Sequence, residues 1–264
     1  MRDMKNIIKC FAIIFLCLLT GKSFAQAEGI KVEYKGIFNT DNPIEITGFL
    51  YAISSNAIYE IDFSTRKKLN EPVPPPDGVI TWEYTPSLDN DLYAVDFTSH
   101  IVNNFDWIMA GNKSKITDKV LINWKLVNEK RNIDGIECYK ATTHFRGRNW
   151  EAWYAPSISY SAGPRKFHGL PGLIIEISDE AKRYNFVATK IESMTESLYE
   201  YQLAKFQNIE YNQEQTLMEY VKIREEVLEN RFADIEERGT QIISKTSKHR
   251  NGMELIYEWE EEKK

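Results

Sequence analysis

The sequence predicts an α+β protein. Its core is a mainly antiparallel, strongly curved β-sheet of eight or more strands, a half-barrel in outline, covered on its concave face by one long amphipathic helix near 212–236. Three observations carry this expectation. Short segments of alternating apolar and polar residues recur from residue 30 to 191, separated by turn residues. The period changes near residue 212, where apolar residues at 217, 220, 221, 227, 228, 232 and 235 fall on one helical face. A sheet with one open apolar face needs cover, and that helix is the obvious candidate.

The ends and the charge come next. Arg2, Lys5 and Lys9 precede an apolar run, Cys10 to Leu19, too short to anchor in a bilayer, and Ser23-Phe24-Ala25 supplies small residues for cleavage. Residues 1–25 are expected to be a signal peptide. Cys17 follows Leu16, where a lipoprotein site needs a small residue, so no lipid anchor is expected. The remaining 239 residues (26–264) are expected to form one domain; a split near the proline segment is the alternative. The full chain carries 33 basic and 39 acidic residues, net −6. Removing 1–25 leaves 29 and 38, net −9. Such a chain has no general attraction for nucleic acid. No later apolar run could span a membrane. Only Cys138 remains, so no internal disulfide is expected.

In order, Ile30–Lys35, Glu45–Ile53 and Ala57–Phe63 read as strands. Glu71–Gly78, with three consecutive prolines, reads as an extended surface loop. Asn90–Phe97, His100–Met109 and Ile116–Asn128 continue a meander, with a turn at Gly111-Asn112-Lys113. Trp107 and Trp124 are expected to share one core. Asp134-Gly135 is a hairpin signal. Ile136–Phe145 and Trp150–Ala155 pair through Arg146–Asn149. Ser157–His168 connects to a Gly/Pro-dense corner, Gly163-Pro-Arg-Lys-Phe-His-Gly-Leu-Pro-Gly172, where Gly permits positive φ and Pro fixes φ. Leu173–Ile177 and Tyr184–Ile191 are strands flanking a turn at Asp179–Arg183. Asn212 with Gln215 resembles a capping box and Gly239 suits the helix stop. Met253–Trp259 reads as a final strand.

Gly169-Leu-Pro-Gly-Leu-Ile174 resembles the signature of the GLPGLI family, exported proteins of Bacteroidota. The resemblance extends through Asp134–Thr142, Phe145–Tyr154 and Gly163–Phe167, roughly residues 120–190. It implies an exported β-rich protein associated with outer-membrane uptake. It carries over no catalytic residue.

The chemistry is sparse. Cys138 and His144 share a strand about 20 Å apart, too far for a dyad; His168 is the His that could reach Cys138 through the fold. No Gly-x-Ser-x-Gly elbow or phosphate loop is present. Four His without a paired spacing and no Cys pair give no expectation of a metal or cofactor. Arg146, Arg148, Arg165, Lys166 and His168 interleave with aromatic residues that include Trp150 and Trp153. These seven are the expected ligand-binding set, for an anionic or apolar ligand. The expected function is an exported, non-catalytic binding or accessory protein of the periplasm or cell surface, with an outer-membrane transport component or a small ligand as partner. The alternatives are a hydrolase or other enzyme with a site around Cys138 and His168, and a purely structural partner protein.

Overall fold

The computed structural model describes residues 29–70, 90–109, 112–237 and 252–261. The expected signal peptide, the proline segment and the Gly239 stop lie outside them. Strands β1 (Gly29–Phe38), β2 (Ile44–Ala52), β3 (Asn56–Lys68), β4 (Asp91–Asp96), β5 (Ile101–Met109) and β6 (Asn112–Lys119) form one meander. Strands β7 (Lys125–Ile133), β8 (Ile136–Phe145), β9 (Arg148–Ala155), β10 (Leu173–Asp179) and β11 (Tyr184–Met194) form a second. Antiparallel pairing of β1 with β11 joins them, and β12 (Gln213–Thr216) adds a parallel edge beside β6. The result is a 12-stranded mixed sheet in the order β12-β6-β5-β4-β3-β2-β1-β11-β10-β9-β8-β7.

The turns follow the residues that make them. Asp134 and Gly135 sit at φ 48° and 87°, and Arg146 and Gly147 at 49° and 78°. Both pairs supply the two positive φ values of a type I′ hairpin. The sheet is bent round. From β6 to the β8–β9 turn is eight or nine strand spacings, about 40 Å if flat. Yet Arg146 Nη1 in that turn lies 2.7 Å from Asp118 Oδ2 in β6.

The expected helical cover does not form. The long helix runs from Leu217 to Glu237, and its main contacts with the sheet are at β5, β6 and β12. Leu217, Tyr220 and Val221 are buried beside Ile116 and Tyr257. No described side chain of this helix after Val221 is buried. The inner face is filled instead by the β9–β10 connection, whose Ala162, Phe167 and Leu170 are buried in the main core with Tyr34, Tyr59 and Trp150. With that space taken, the helix has no inner face left to cover. Its start is a capping box between Thr216 and Glu219, one turn later than Asn212 suggested. Asn212 is tied to Lys113 across the sheet edge.

A shorter helix, α1 (Glu196–Gln207), packs Tyr199 and Phe206 on the opposite face, against Tyr51, Ile58 and Leu92. The long helix is α2, and a turn of helix, α3, spans Glu258–Glu261. Met253–Trp259, expected as a strand, forms no sheet pairing, and its last two residues begin the helical turn. The single strand expected over 116–128 is two strands, because Val120–Trp124 leaves the sheet. Trp124 packs on the main core, whereas Trp107 lies under the Lys113 ammonium at 4.9 Å.

Candidate functional site

The 156–172 connection is pinned to itself and to the sheet. Leu173 N donates to Ile158 O, Ile174 N to Ala162 O, and Gly169 N to Ser161 O. Gly172 has φ 151°, and a Cβ there would lie 2.3 Å from Ala155 O. No side chain fits at that crossing. Phe167 is held against Trp150, ring centroids 4.6 Å apart, and near Phe145 at 6.2 Å.

This anchoring brings Lys166 to Arg146. Arg146 grips Asp118 with both Nη atoms, at 2.7 and 2.8 Å. It also donates from Nη1 to Glu254 Oε1 at 2.8 Å and from Nε to Glu258 Oε1 at 3.0 Å. Lys166 Nζ donates to Asp118 Oδ2 at 2.9 Å and Glu254 Oε1 at 3.0 Å. Burial pushes the Asp118 carboxyl up, but Lys166 and Arg146 overcome it and hold it down at about 2. Burial likewise opposes ionisation of Glu254, and the same two cations hold its carboxyl below the ordinary range.

The other expected residues go elsewhere. Arg148 donates to Asp179 Oδ2 at 3.0 Å and to Gly252 O at 2.7 Å. Arg165 donates to the Tyr93 hydroxyl inside the sheet. Strand alternation puts Trp153 on the face opposite Trp150. There the Arg131 guanidinium lies 4.2 Å from its ring, and its Nε1–H donates to Glu151 at 3.1 Å. The structure thus gathers Arg146 and Lys166 around carboxylates, with Trp150 in the adjoining core, and separates Trp153. Cys138 is buried; burial pushes its thiol up to about 11, and Sγ faces Ile136 O at 3.5 Å. Both ring nitrogens of His168 are engaged, Nδ1 by Lys166 O at 2.8 Å and Nε2 by His100 Nδ1 at 3.3 Å. Among the described residues no imidazole bonds this thiol, and a thiol with a raised pKa is not an activated nucleophile. Among the described residues no group of three or more His, Cys, Asp or Glu could hold a metal ion.

Sequence reasoning missed Asp118, Asp179, Glu254 and His100. The rule that buried cations are paired signals that carboxylates must exist, but not which ones.

An open groove remains at the corner. It has a volume of about 390 Å³ and is lined by Ile122, Trp124, Lys125, Leu126, Leu170 and Pro171, among others. Trp124 Nε1–H donates to His168 O at 2.8 Å, fixing one wall. The groove runs beside β7, which among the described residues pairs only with β8 and so presents a free edge. Leu126 of its wall is 56% exposed, and Leu121, the residue before Ile122 in the chain, is 55% exposed.

Fold and site together define a single-sheet protein built from two meanders, with a locked connection over an interior ion-pair network. Residues 146–176, from that network into β10, match the profile of a Bacteroidota-associated family described as "Protein of unknown function (Porph_ging)". No curated protein matches the chain. Among solved structures, two crystal forms of PNGF-II are similar at 16% identity, with TM-scores of 0.46 and 0.48. They cover 74% of this chain and 32% and 33% of PNGF-II, so the chain spans about a third of that protein's length. An uncharacterized conserved protein from Thermus thermophilus is similar at 10% identity and TM-score 0.37, covering 73% of this chain and 92% of that one. No helix among the described residues is long and apolar enough to cross a membrane.

Proposed function

We propose that this is an exported, non-catalytic accessory protein of the GLPGLI type, which works by binding a partner protein at the periplasmic or outer surface. The observation that carries the reading is the groove beside the free edge of β7, with exposed Leu126 in its wall. An unpaired edge offers backbone donors and acceptors to an extended segment, and neighbouring pockets select its side chains. Among the described residues, Lys125 is the one charged side chain lining the groove. The occupant we infer is an extended apolar segment carrying a carboxylate. The filled interior supports a protein partner over an enclosed small ligand, because Arg146 and Lys166 already hold carboxylates of this chain.

Native mass spectrometry of protein isolated from its own host tests this. A stoichiometric protein partner is expected, lost in Leu126→Arg and weakened in Lys125→Glu. A co-purified lipid or metal ion, or a partner retained by both variants, would overturn the reading.

A further inference from the structure

His100 and His168 meet through their ring edges. Their planes differ by 23° and their centroids lie 5.5 Å apart, beyond face-to-face contact. The close approach is nitrogen to nitrogen, His100 Nδ1 to His168 Nε2 at 3.3 Å. The protons on this line follow from the neighbours. His168 Nδ1 faces the carbonyl of Lys166, which can only accept, so Nδ1 carries a proton. In the neutral ring Nε2 then holds a lone pair and accepts from His100 Nδ1–H. His168 is 2% exposed, and Phe97 lies beside it at 5.9 Å.

We propose that the His100–His168 hydrogen bond is an acid-released latch that holds the 156–172 connection onto the β4–β5 turn. The latch accepts one proton and fails at the second. A first proton goes to His100 Nε2, the one ring nitrogen whose protonation breaks neither bond, and the charged ring still donates from Nδ1. A second must go to His168 Nε2. Two N–H groups then point at each other across 3.3 Å, and two cations share one partly buried contact. Burial, opposed by the bond to the Lys166 carbonyl and aided by His100, holds His168 below the ordinary histidine range, which delays that step to more acid conditions.

The charged groups around the pair do not mask it. Asp96, from the end of β4, lies near His100, and its Oδ1 accepts from Thr98 N and Ser99 N. Lys119 in β6 sits across from Ile101 and is exposed. Lys166 directs its ammonium to Asp118 and Glu254. Release reaches the groove because the His168 carbonyl holds Trp124 and Leu170 follows two residues on. That consequence rests on the docking site proposed above; the latch does not.

Hydrogen exchange of the intact protein, without any partner, tests it. After correction for intrinsic rates, amides of 156–172 are expected to exchange roughly tenfold faster at about pH 4.5 than at about pH 7. His100→Asn removes the titrating partner and keeps a residue tolerant of the positive φ of 59° found there. In that variant the acid response of 156–172 is expected to disappear. No acid response in the natural chain, or the same response in His100→Asn, would overturn the latch. Either result leaves the docking reading standing, and loss of the docking reading leaves this measurement unaffected.

Discussion

Arg146 and Lys166 carry two positive charges into the interior, and desolvation costs several kcal/mol for each unless it is met. Asp118 meets both, with two hydrogen bonds from Arg146 and one from Lys166. Asp118→Ala is therefore expected to cost about 3–5 kcal/mol, because it strands buried charge on its former partners; urea denaturation measures it. The same contacts fix an acid dependence. The folded carboxyl is held at about 2, below its unfolded value near 3.9, so the unfolded chain binds the proton first. This stabilisation is fully present above about pH 4 and is lost as pH falls toward 2. Stability curves of the natural chain and Asp118→Ala should converge in that window, and a constant gap between them would sink the assignment. The basic cluster was legible in the sequence because its members crowd into 146–168. Its partners were not: Asp118 lies 28 residues from Arg146 and Glu254 lies 108 away, so no local pattern points to them.

At the scale of elements, what was legible had a local cause. Strand alternation and turn chemistry depend on neighbouring residues: the Asp134-Gly135 hairpin forms where expected, and the turn expected over Arg146–Asn149 closes more tightly, at Arg146-Gly147. The misreadings had tertiary causes. Val120–Trp124 is as apolar as a strand, but Trp124 leaves the sheet to meet the corner through His168 O. Helix α1 was missed because only Tyr199, Gln202 and Phe206 of it are buried, too sparse a stripe to stand out. The apolar face of α2 was read correctly as a helix but wrongly as the cover of the sheet. The corner offers a sharp test of its glycines. Gly169 has φ 95° with nothing nearer a Cβ than Trp124 at 3.8 Å, whereas Gly172 combines φ 151° with Ala155 O at 2.3 Å. Gly169→Ala is expected to cost about 1–2 kcal/mol from backbone strain alone. Gly172→Ala must also displace backbone and should cost clearly more. Thermal denaturation of the two variants ranks them, and equal losses would show that the crossing at Ala155 is not tight.

The whole molecule depends on a seam that no single segment announces. Within each meander successive strands pair, but β1 opens the first meander and β11 ends the second, and their pairing makes one sheet of two. Loop closure on that scale must be offset by contacts the seam itself supplies. One of them is Tyr34 in β1, which is fully buried and donates its hydroxyl to Ile174 O at 2.6 Å, two strands away. The acceptor lies where the β9–β10 register slips between Ile174 and Glu176, a bulge that disrupts the ladder there. Burial raises the Tyr34 phenol well above its ordinary range, so it remains a donor at neutral pH. Removing that hydroxyl would leave a buried carbonyl poorly met, at a cost of about 1–3 kcal/mol. Tyr139 provides the comparison: its hydroxyl donates to Glu137 at 2.8 Å on the exposed side of β8, where water can replace the loss. Tyr34→Phe is thus expected to lower the urea midpoint measurably while Tyr139→Phe leaves it within error. If the two variants unfold alike, the hydroxyl is not what holds the bulge, and the seam must rest on its ladder and apolar packing alone.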